Sequence, residues 1–309
     1  MLSTVPFEVP ARLMDKARAA PRLTLAVAGA GHPLAMESAR RAADAGLIEP
    51  VLVGDADAIA AIARDMGWNI AGLRVVAAGD ESKAAETAAM LAGAGEVASL
   101  MKGHVHTETL MRAVLNRRAD LRTGRRISHV FHMTVPGRDR VMYITDGVIN
   151  VQPGVDDKLD IVLNAVDVAH ALGTAEPRVA VLSGAETVNA AMPSSVEAAE
   201  VAKRANNGAV LGALVDGPLS FDNAVSPEAA AIKGVDGPVA GRADILVVPT
   251  LESGNFLYKQ LVYFMSATAA GIVIGARVPI VLTSRADPPE ARLASAALAA
   301  IVAAAPPPG

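Results

Sequence analysis

"VPIVLTSRADPPEARLASAAL" (Val278–Leu298) holds a strand, a polar turn and a helix in twenty-one residues. Pro279 opens an apolar run of Ile280, Val281 and Leu282, which reads as a buried strand. Ala291, Leu293, Ala294, Ala297 and Leu298 recur at helical spacing. Between the two lie Thr283, Ser284, Arg285 and Asp287. A hydroxyl, a guanidinium and a carboxylate at a strand-to-helix turn sit where open parallel sheets bind ligands, at the carboxyl ends of strands.

The same alternation runs through the chain. Strands are expected at Leu23–Ala28, Pro50–Val53, Leu73–Val76, Ala98–Met101, Ser128–Met133, Val141–Ile144, Val179–Leu182, Val210–Leu214, Ile245–Val248 and Pro279–Leu282. Helix-length segments such as His32–Ala45, Ala58–Met66, Lys83–Ala94 and Lys158–Leu172 separate many of them. This βαβα order predicts an α/β protein with a mostly parallel sheet covered on both faces. The pair flanking "VPGRDR" (Val135–Arg140) breaks the order and reads as an antiparallel hairpin with a Pro-Gly turn. Residues 1–135 with 273–309 are expected to form a first, discontinuous α/β domain, and 136–272 a second.

Composition narrows the function classes. The net charge is −4 with signs interspersed, and aromatics make up 3% of the chain, so neither a basic stripe nor base-stacking rings point to nucleic acid. The chain has no cysteine, which excludes disulfides, thiolate metal sites and thiol nucleophiles. The N-terminal residues carry charges where a signal peptide needs an apolar core. The uncharged run Gln260–Ala276 is at the short limit for a membrane span and is interrupted by polar residues and glycines. It reads as a buried helix followed by a strand. The region Phe256–Ala276 is also expected to form an interface between copies, as a homodimer or larger assembly, since it is too apolar to face water. A cytoplasmic location with no membrane partner is expected.

Polar clusters follow six of the expected strands: "MKGHVHTET", "TDGVINVQP", "SGAETVN", "DGPLSFDNA", "PTLESGN" and "TSRAD". Ser284, Arg285 and Asp287 offer a hydroxyl, a fixed cation and a carboxylate beside a helix N-terminus, an arrangement suited to anions. In "ESGNFLYKQ", Gly254 admits close approach to the backbone, Asn255 can cap a helix and Lys259 lies one turn on. Arg112, in "HTETLMRAVL", is a second candidate cation. "HVH" (His104, His106) and "HVFH" (His129, His132) have metal-like spacing, with Asp146 available, but no HExxH signature accompanies them. Satisfied or part-buried histidines, with no metal site, are the expectation. "VAGAGHP" (Val27–Pro33) has Gly-x-Gly but Leu34 stands at the third glycine of a dinucleotide fingerprint. No nucleophile elbow is present.

Seven stretches, in order, resemble the phosphate acetyltransferase and phosphate butyryltransferase family. They are "LMKGHVHTETLMRAVL", "LRTGRRISHVF", "ITDGVINVQP", "VAVLSGAETVN", "DGPLSFDNA", "PVAGRADILVVPTLESGNFLYKQL" and "VPIVLTSRAD". "ITDG", "TSRAD" and "LMKG" look more like the butyryl branch, or the acyltransferase portion of members fused behind hydratase-like domains. The resemblance implies a fold similar to isocitrate and isopropylmalate dehydrogenases, with two α/β domains and an active site in the cleft. It implies reversible acyl transfer between coenzyme A and orthophosphate through a ternary complex without an acyl-enzyme. No cofactor is implied, coenzyme A being a substrate. Ser284 would polarise the reacting group and Arg285 hold phosphate, with Arg112 as a further phosphate contact. Asn255 and Lys259 match "GNxxYK", and Ser128 lies in a matching stretch, so these join Gly254 as expected substrate contacts. Acetyl-type relatives place an aspartate, the proposed thiol base, where this chain has Ala291. Asp287 and Glu290 are the substitutes at hand. Two other readings compete: an oxidoreductase of the same fold acting on a hydroxy acid, and a non-catalytic acyl-CoA or phosphate-binding module.

Overall fold

The computed structural model describes residues 2–284 and 286–306. Packing divides the described chain into two compact units: residues 8–125 with 270–306, and residues 2–7 with 126–269.

The first unit opens with α1 (Ala11–Ala19), β1 (Leu23–Ala28), α2 (Pro33–Asp44), β2 (Ile48–Gly54), α3 (Ala56–Asp65), β3 (Val75–Ala77), α4 (Glu81–Gly93), β4 (Ser99–Lys102) and α5 (Thr107–Leu115). The second holds β5 (Ser128–Thr134), β6 (Met142–Thr145), α6 (Val155–Ala171), β7 (Arg178–Leu182), α7 (Pro193–Arg204), β8 (Leu214–Leu219), α8 (Phe221–Val225), α9 (Pro227–Ile232), β9 (Ile245–Val247) and α10 (Leu251–Met265). The chain crosses back within β10 (Thr268–Ile274) and finishes with β11 (Ile280–Val281) and α11 (Pro289–Ala304).

In the first unit the strands run β3-β2-β1-β4-β11-β10. β1 pairs in parallel with β2 and β4, and β11 in parallel with β4, Ile280 opposite Leu100. β1 is buried along nearly its whole length, as a parallel strand covered on both faces must be. α11 packs against α1 and α2. Its alanines 294, 296, 297, 299 and 300 are all essentially inaccessible, and their small side chains let the helix sit close to its neighbours. The antiparallel pairing of β10 with β11, Ile272 opposite Val281, was not legible in the sequence.

In the second unit the order is β5-β6-β9-β7-β8. β5 and β6 form the expected antiparallel hairpin, Phe131 opposite Ile144, while β6, β9, β7 and β8 are parallel. Phe131, Ile144, Leu182, Leu246 and Tyr258 centre its core.

Three expectations shift. The first crossing falls at 125/126 rather than 135/136, because β5 is hydrogen-bonded to β6 and belongs with it. The return falls at 269/270 rather than 272/273. The expected strand Val210–Leu214 is displaced to Leu214–Leu219. Gly208 and Gly212 take positive φ of 99° and 69°, which turns the Val210–Leu211 run into a reversal and leaves Leu211 exposed. "DGPLSFDNA" therefore begins inside β8 and is not a cluster beyond a strand end.

Candidate active site

The "TSRAD" turn leaves β11 as expected and is closed on itself. Ser284 donates its backbone N–H to Asp287 Oδ2 at 2.6 Å, and Asp287 N–H returns a bond to the Ser284 carbonyl at 3.2 Å. Ser284 Oγ accepts from Ala286 N–H at 3.3 Å. Pro288 and Pro289 hold the start of α11 back to residue 289, so Asp287 caps the turn ahead of the helix. Glu290, in the first turn of α11, pairs with Arg41 of α2 at 3.6 Å. Ala291 is buried in the helix packing at 1% exposure. Arg285 lies outside the described residues.

Arg292 was not anticipated. Its side chain is only 9% exposed; Nη1 donates to the Asp287 carbonyl at 2.5 Å and Nη2 lies 3.6 Å from Glu37 Oε2 on α2. Burial pulls this guanidinium below its ordinary proton affinity, and Glu37 opposes that. Its position one residue past the expected base gave no functional signal in the sequence. It reads there as an ordinary helix-surface arginine.

Ser284 and Arg292 line a pocket with Ser38, His32, Lys102, His104 and Thr283. The loops after β1 and β4 build its wall. Gly103 N–H donates to the Ala28 carbonyl and His104 N–H to the Gly29 carbonyl, each at 2.9 Å. A Cβ at Gly103 would come within 2.6 Å of the Ala28 oxygen, so only glycine permits this approach. Gly29, at φ +77°, would set a Cβ 2.8 Å from Val105 Cγ1. The glycines of "VAGAGHP" thus bring two loops together rather than cradle a dinucleotide. His32 and His104 consequently stack at 4.0 Å, 2° from parallel.

His106 faces a different partner: its Nδ1 is 2.9 Å from Glu81 on α4, and its backbone N–H donates to the same carboxylate at 2.6 Å. That backbone bond, with help from the imidazole and Thr109 and against burial, holds Glu81 down at about 2. His129 and His132 are buried in β5. Among the described residues no group of three acidic or histidine side chains is arranged to hold a metal ion.

The remaining expected contacts are dispersed. Arg112 sits on the exposed face of α5 and pairs with Glu108 at 2.6 Å; it is not part of the pocket lining. Asn255, Lys259, Gly254 and Ser128 belong to the other unit. Gly254 lies in the first turn of α10, where a Cβ would meet Gly147 Cα at 2.8 Å, so this glycine serves the packing of the helix on the "TDG" loop. Asn255 Nδ2 donates to the Gly147 carbonyl at 3.3 Å, while Lys259 is exposed on α10. The α10 cap is Thr250, which exchanges bonds with Ser253, rather than Asn255. Ser128 is fully buried and its Oγ accepts from Asn164 Nδ2 at 2.8 Å, so the hydroxyl is engaged in the core instead of facing a ligand.

An α/β scaffold with an anion-suited pocket at the ends of parallel strands defines the class. The family model for phosphate acetyl/butaryl transferase matches residues 77–300. The chain belongs to this family and is an acyltransferase. It is 48% identical over 294 residues to a phosphate acetyltransferase of Rhizobium meliloti, covering 95% of this chain and 93% of the relative. It is 41% identical over 292 residues to a phosphate butyryltransferase of Clostridium beijerinckii, covering 94% and 97%. A crystal structure of a branched-chain phosphotransacylase from Enterococcus faecalis V583 superposes with a TM-score of 0.79 at 34% identity, over 91% of this chain and 99% of that one. A 4-hydroxythreonine-4-phosphate dehydrogenase from Burkholderia phymatum, with a TM-score of 0.54 at 12% identity over 91% and 98%, shares the fold alone. The dehydrogenase-like architecture is therefore present, while the family is that of the acyltransferases. Among the described residues no helix is long and apolar enough to cross a membrane.

Proposed function

We infer that this protein catalyses reversible transfer of a short acyl group between coenzyme A and orthophosphate, with both substrates bound at once and no acyl-enzyme. One observation carries the reading beyond family membership. Ser284 is presented into a pocket whose charged lining residues, Lys102 and Arg292, are both cations. Such a lining suits a phosphate and a developing thiolate. The chain has no cysteine to form a thioester intermediate. Ser284 would donate a hydrogen bond to the charge that develops at the carbonyl, and Arg285 would hold phosphate. Arg112 would join it by exchanging Glu108 for the substrate.

Turnover is proposed to need no metal or other cofactor. Purified protein assayed for thiol release from acetyl-CoA and butyryl-CoA in the presence of phosphate should be active, and equally so after chelation. Loss of activity on chelation, restored by one divalent ion, would refute the metal-free version. Reduction of a nicotinamide cofactor with a hydroxy acid and no thiol release would favour the oxidoreductase reading instead.

The enzyme is further proposed to be a cytoplasmic homodimer or larger oligomer. The support lies on α10, where Phe256 is 70% exposed and Phe264 59%, with Tyr263 and Met265 also open to solvent. Large apolar side chains grouped in this way mark contact surfaces. Light scattering at micromolar concentration should give at least twice the chain mass, and Phe256→Asp with Phe264→Asp should lower it. A monomeric wild type would refute the assembly.

A further inference from the structure

We propose that His104 is the acid–base group of the acyl transfer, a role that no carboxylate of the "TSRAD" turn is free to fill. The inference rests on the acyl-transfer reading above and deepens it.

Position 291 carries a methyl group, buried at 1% exposure. The Asp287 carboxylate accepts the Ser284 N–H at 2.6 Å, and drawing it toward a substrate would open the turn that presents Ser284. Glu290 is turned to Arg41, and neither carboxylate lines the pocket. The described residues that do line it include two imidazoles, His32 and His104. As a side-chain type, imidazole is the group best suited to exchange a proton with a thiol.

The pair is built, not incidental. Glycine-dependent contacts zip the loops after β1 and β4 together and set the rings face to face at 4.0 Å. The two rings are not equivalent. His32 caps α2, with Nδ1 accepting the Leu34 N–H at 3.2 Å. A neutral ring so held carries its proton on Nε2 and is a donor there. His32 is thus a positioning residue, a platform for its neighbour. His104 is exposed, follows the carboxyl end of β4, and lines the pocket together with Ser284. Among the described residues, the charged groups that line the pocket with the pair are Lys102, from β4, and Arg292, from α11 with Glu37 behind it. Both cations suit the phosphate and thiolate whose proton His104 would handle.

The proton balance closes in both directions. With acyl phosphate and coenzyme A, the thiol proton passes to the imidazole as sulfur attacks the carbonyl. The C–S bond forms, the C–O bond to phosphate breaks, and orthophosphate leaves with the bonding pair and takes up the proton. In reverse, the imidazole takes the proton of the incoming phosphate as its oxygen attacks the thioester; the C–O bond forms, the C–S bond breaks, and the imidazolium protonates the departing thiolate.

The test measures kcat from about pH 5.5 to 9 for wild type, His104→Gln, His104→Ala and His32→Gln, with thermal unfolding as a check on folding. His104→Gln should fall by about 10²–10⁴ and lose the acidic limb of its profile. Added imidazole should restore part of the rate of His104→Ala. His32→Gln should lose less and keep the limb. A His104→Gln variant with near wild-type kcat would overturn the proposal. So would a slow, folded variant that keeps the wild-type limb, with no imidazole rescue of His104→Ala. Wild-type protein inactive toward acetyl-CoA and butyryl-CoA would overturn the acyl-transfer reading itself, and this assignment with it.

Discussion

Ser284→Ala is expected to lower kcat by about 10²–10³, the cost of removing one hydrogen-bond donor aimed at developing charge in an acyl transfer. The side chain is exposed at the end of β11 and lines the pocket, so its removal leaves no cavity in the core. In the alanine variant the turn keeps the Ser284 N–H bond to Asp287 and the Arg292 guanidinium bond to the Asp287 carbonyl, and loses only the longer Ala286 N–H bond to Oγ at 3.3 Å. The melting temperature should therefore stay close to wild type while the rate falls. The KM for phosphate should change little, because the lost interaction strengthens only in the transition state. A variant that retains most of its kcat would remove Ser284 from the chemistry. A variant that loses rate through unfolding would show it in the melt.

The second large effect concerns pH and stability. His132 lies in β5, buried at 4% exposure, its ring edge-on to Tyr143 at 5.6 Å. Its Nδ1 has no hydrogen-bond partner among the described residues. Burial pushes this imidazole from 6.5 down to about 4, against a smaller opposing contribution from its own backbone. The unfolded chain therefore takes up the proton first as the pH falls. The full stability is present above about 6.5 and is lost progressively as the pH drops through the interval down to about 4, in total about 3 kcal/mol. Acid unfolding should begin in that window. His132→Phe, which keeps an aromatic ring against Tyr143 without a titrating nitrogen, should show a shallower fall of melting temperature between pH 6.5 and 4. Identical pH dependence in the two proteins would assign the acid limb elsewhere.

The Glu81–His106 contact adds a separate effect at lower pH. Glu81 is held at about 2 in the fold and titrates near 4.5 in the unfolded chain. Its contribution is present above about 4.5 and fades as the pH falls toward 2. The clamp ties α4 to the loop that carries His104, so the stacked pair is anchored on both sides.

The sequence by itself determined the alternation of strands and helices, the antiparallel hairpin at Val135–Arg140, the polar turn at the end of β11 and the family. These are short-range signals. An apolar run of four residues, a Pro-Gly turn or a Pro-Pro pair before a helix carries its meaning within a few positions, because φ/ψ preferences and hydrophobic period are local. The one strand misplaced, β8, shows the limit: Val210 and Leu211 are as apolar as a strand requires, but two glycines at positive φ turn the chain there.

Which side chains meet was decided only by the tertiary structure. The bases proposed from sequence, Asp287 and Glu290, prove to be engaged with Ser284 and Arg41. Ser128 is engaged with Asn164 inside the core, and Arg112 with Glu108 on the surface. His32 and His104 stand far apart in the chain, one beside a failed dinucleotide motif and the other in a metal-like pair, and neither spacing predicts that they stack. The physical reason is that a hydrogen bond or ring contact depends on distances of a few ångströms between atoms of different elements. Those distances are set by how closely β1 and β4 can bring their loops together, which rests on glycines having no Cβ at the point of crossing.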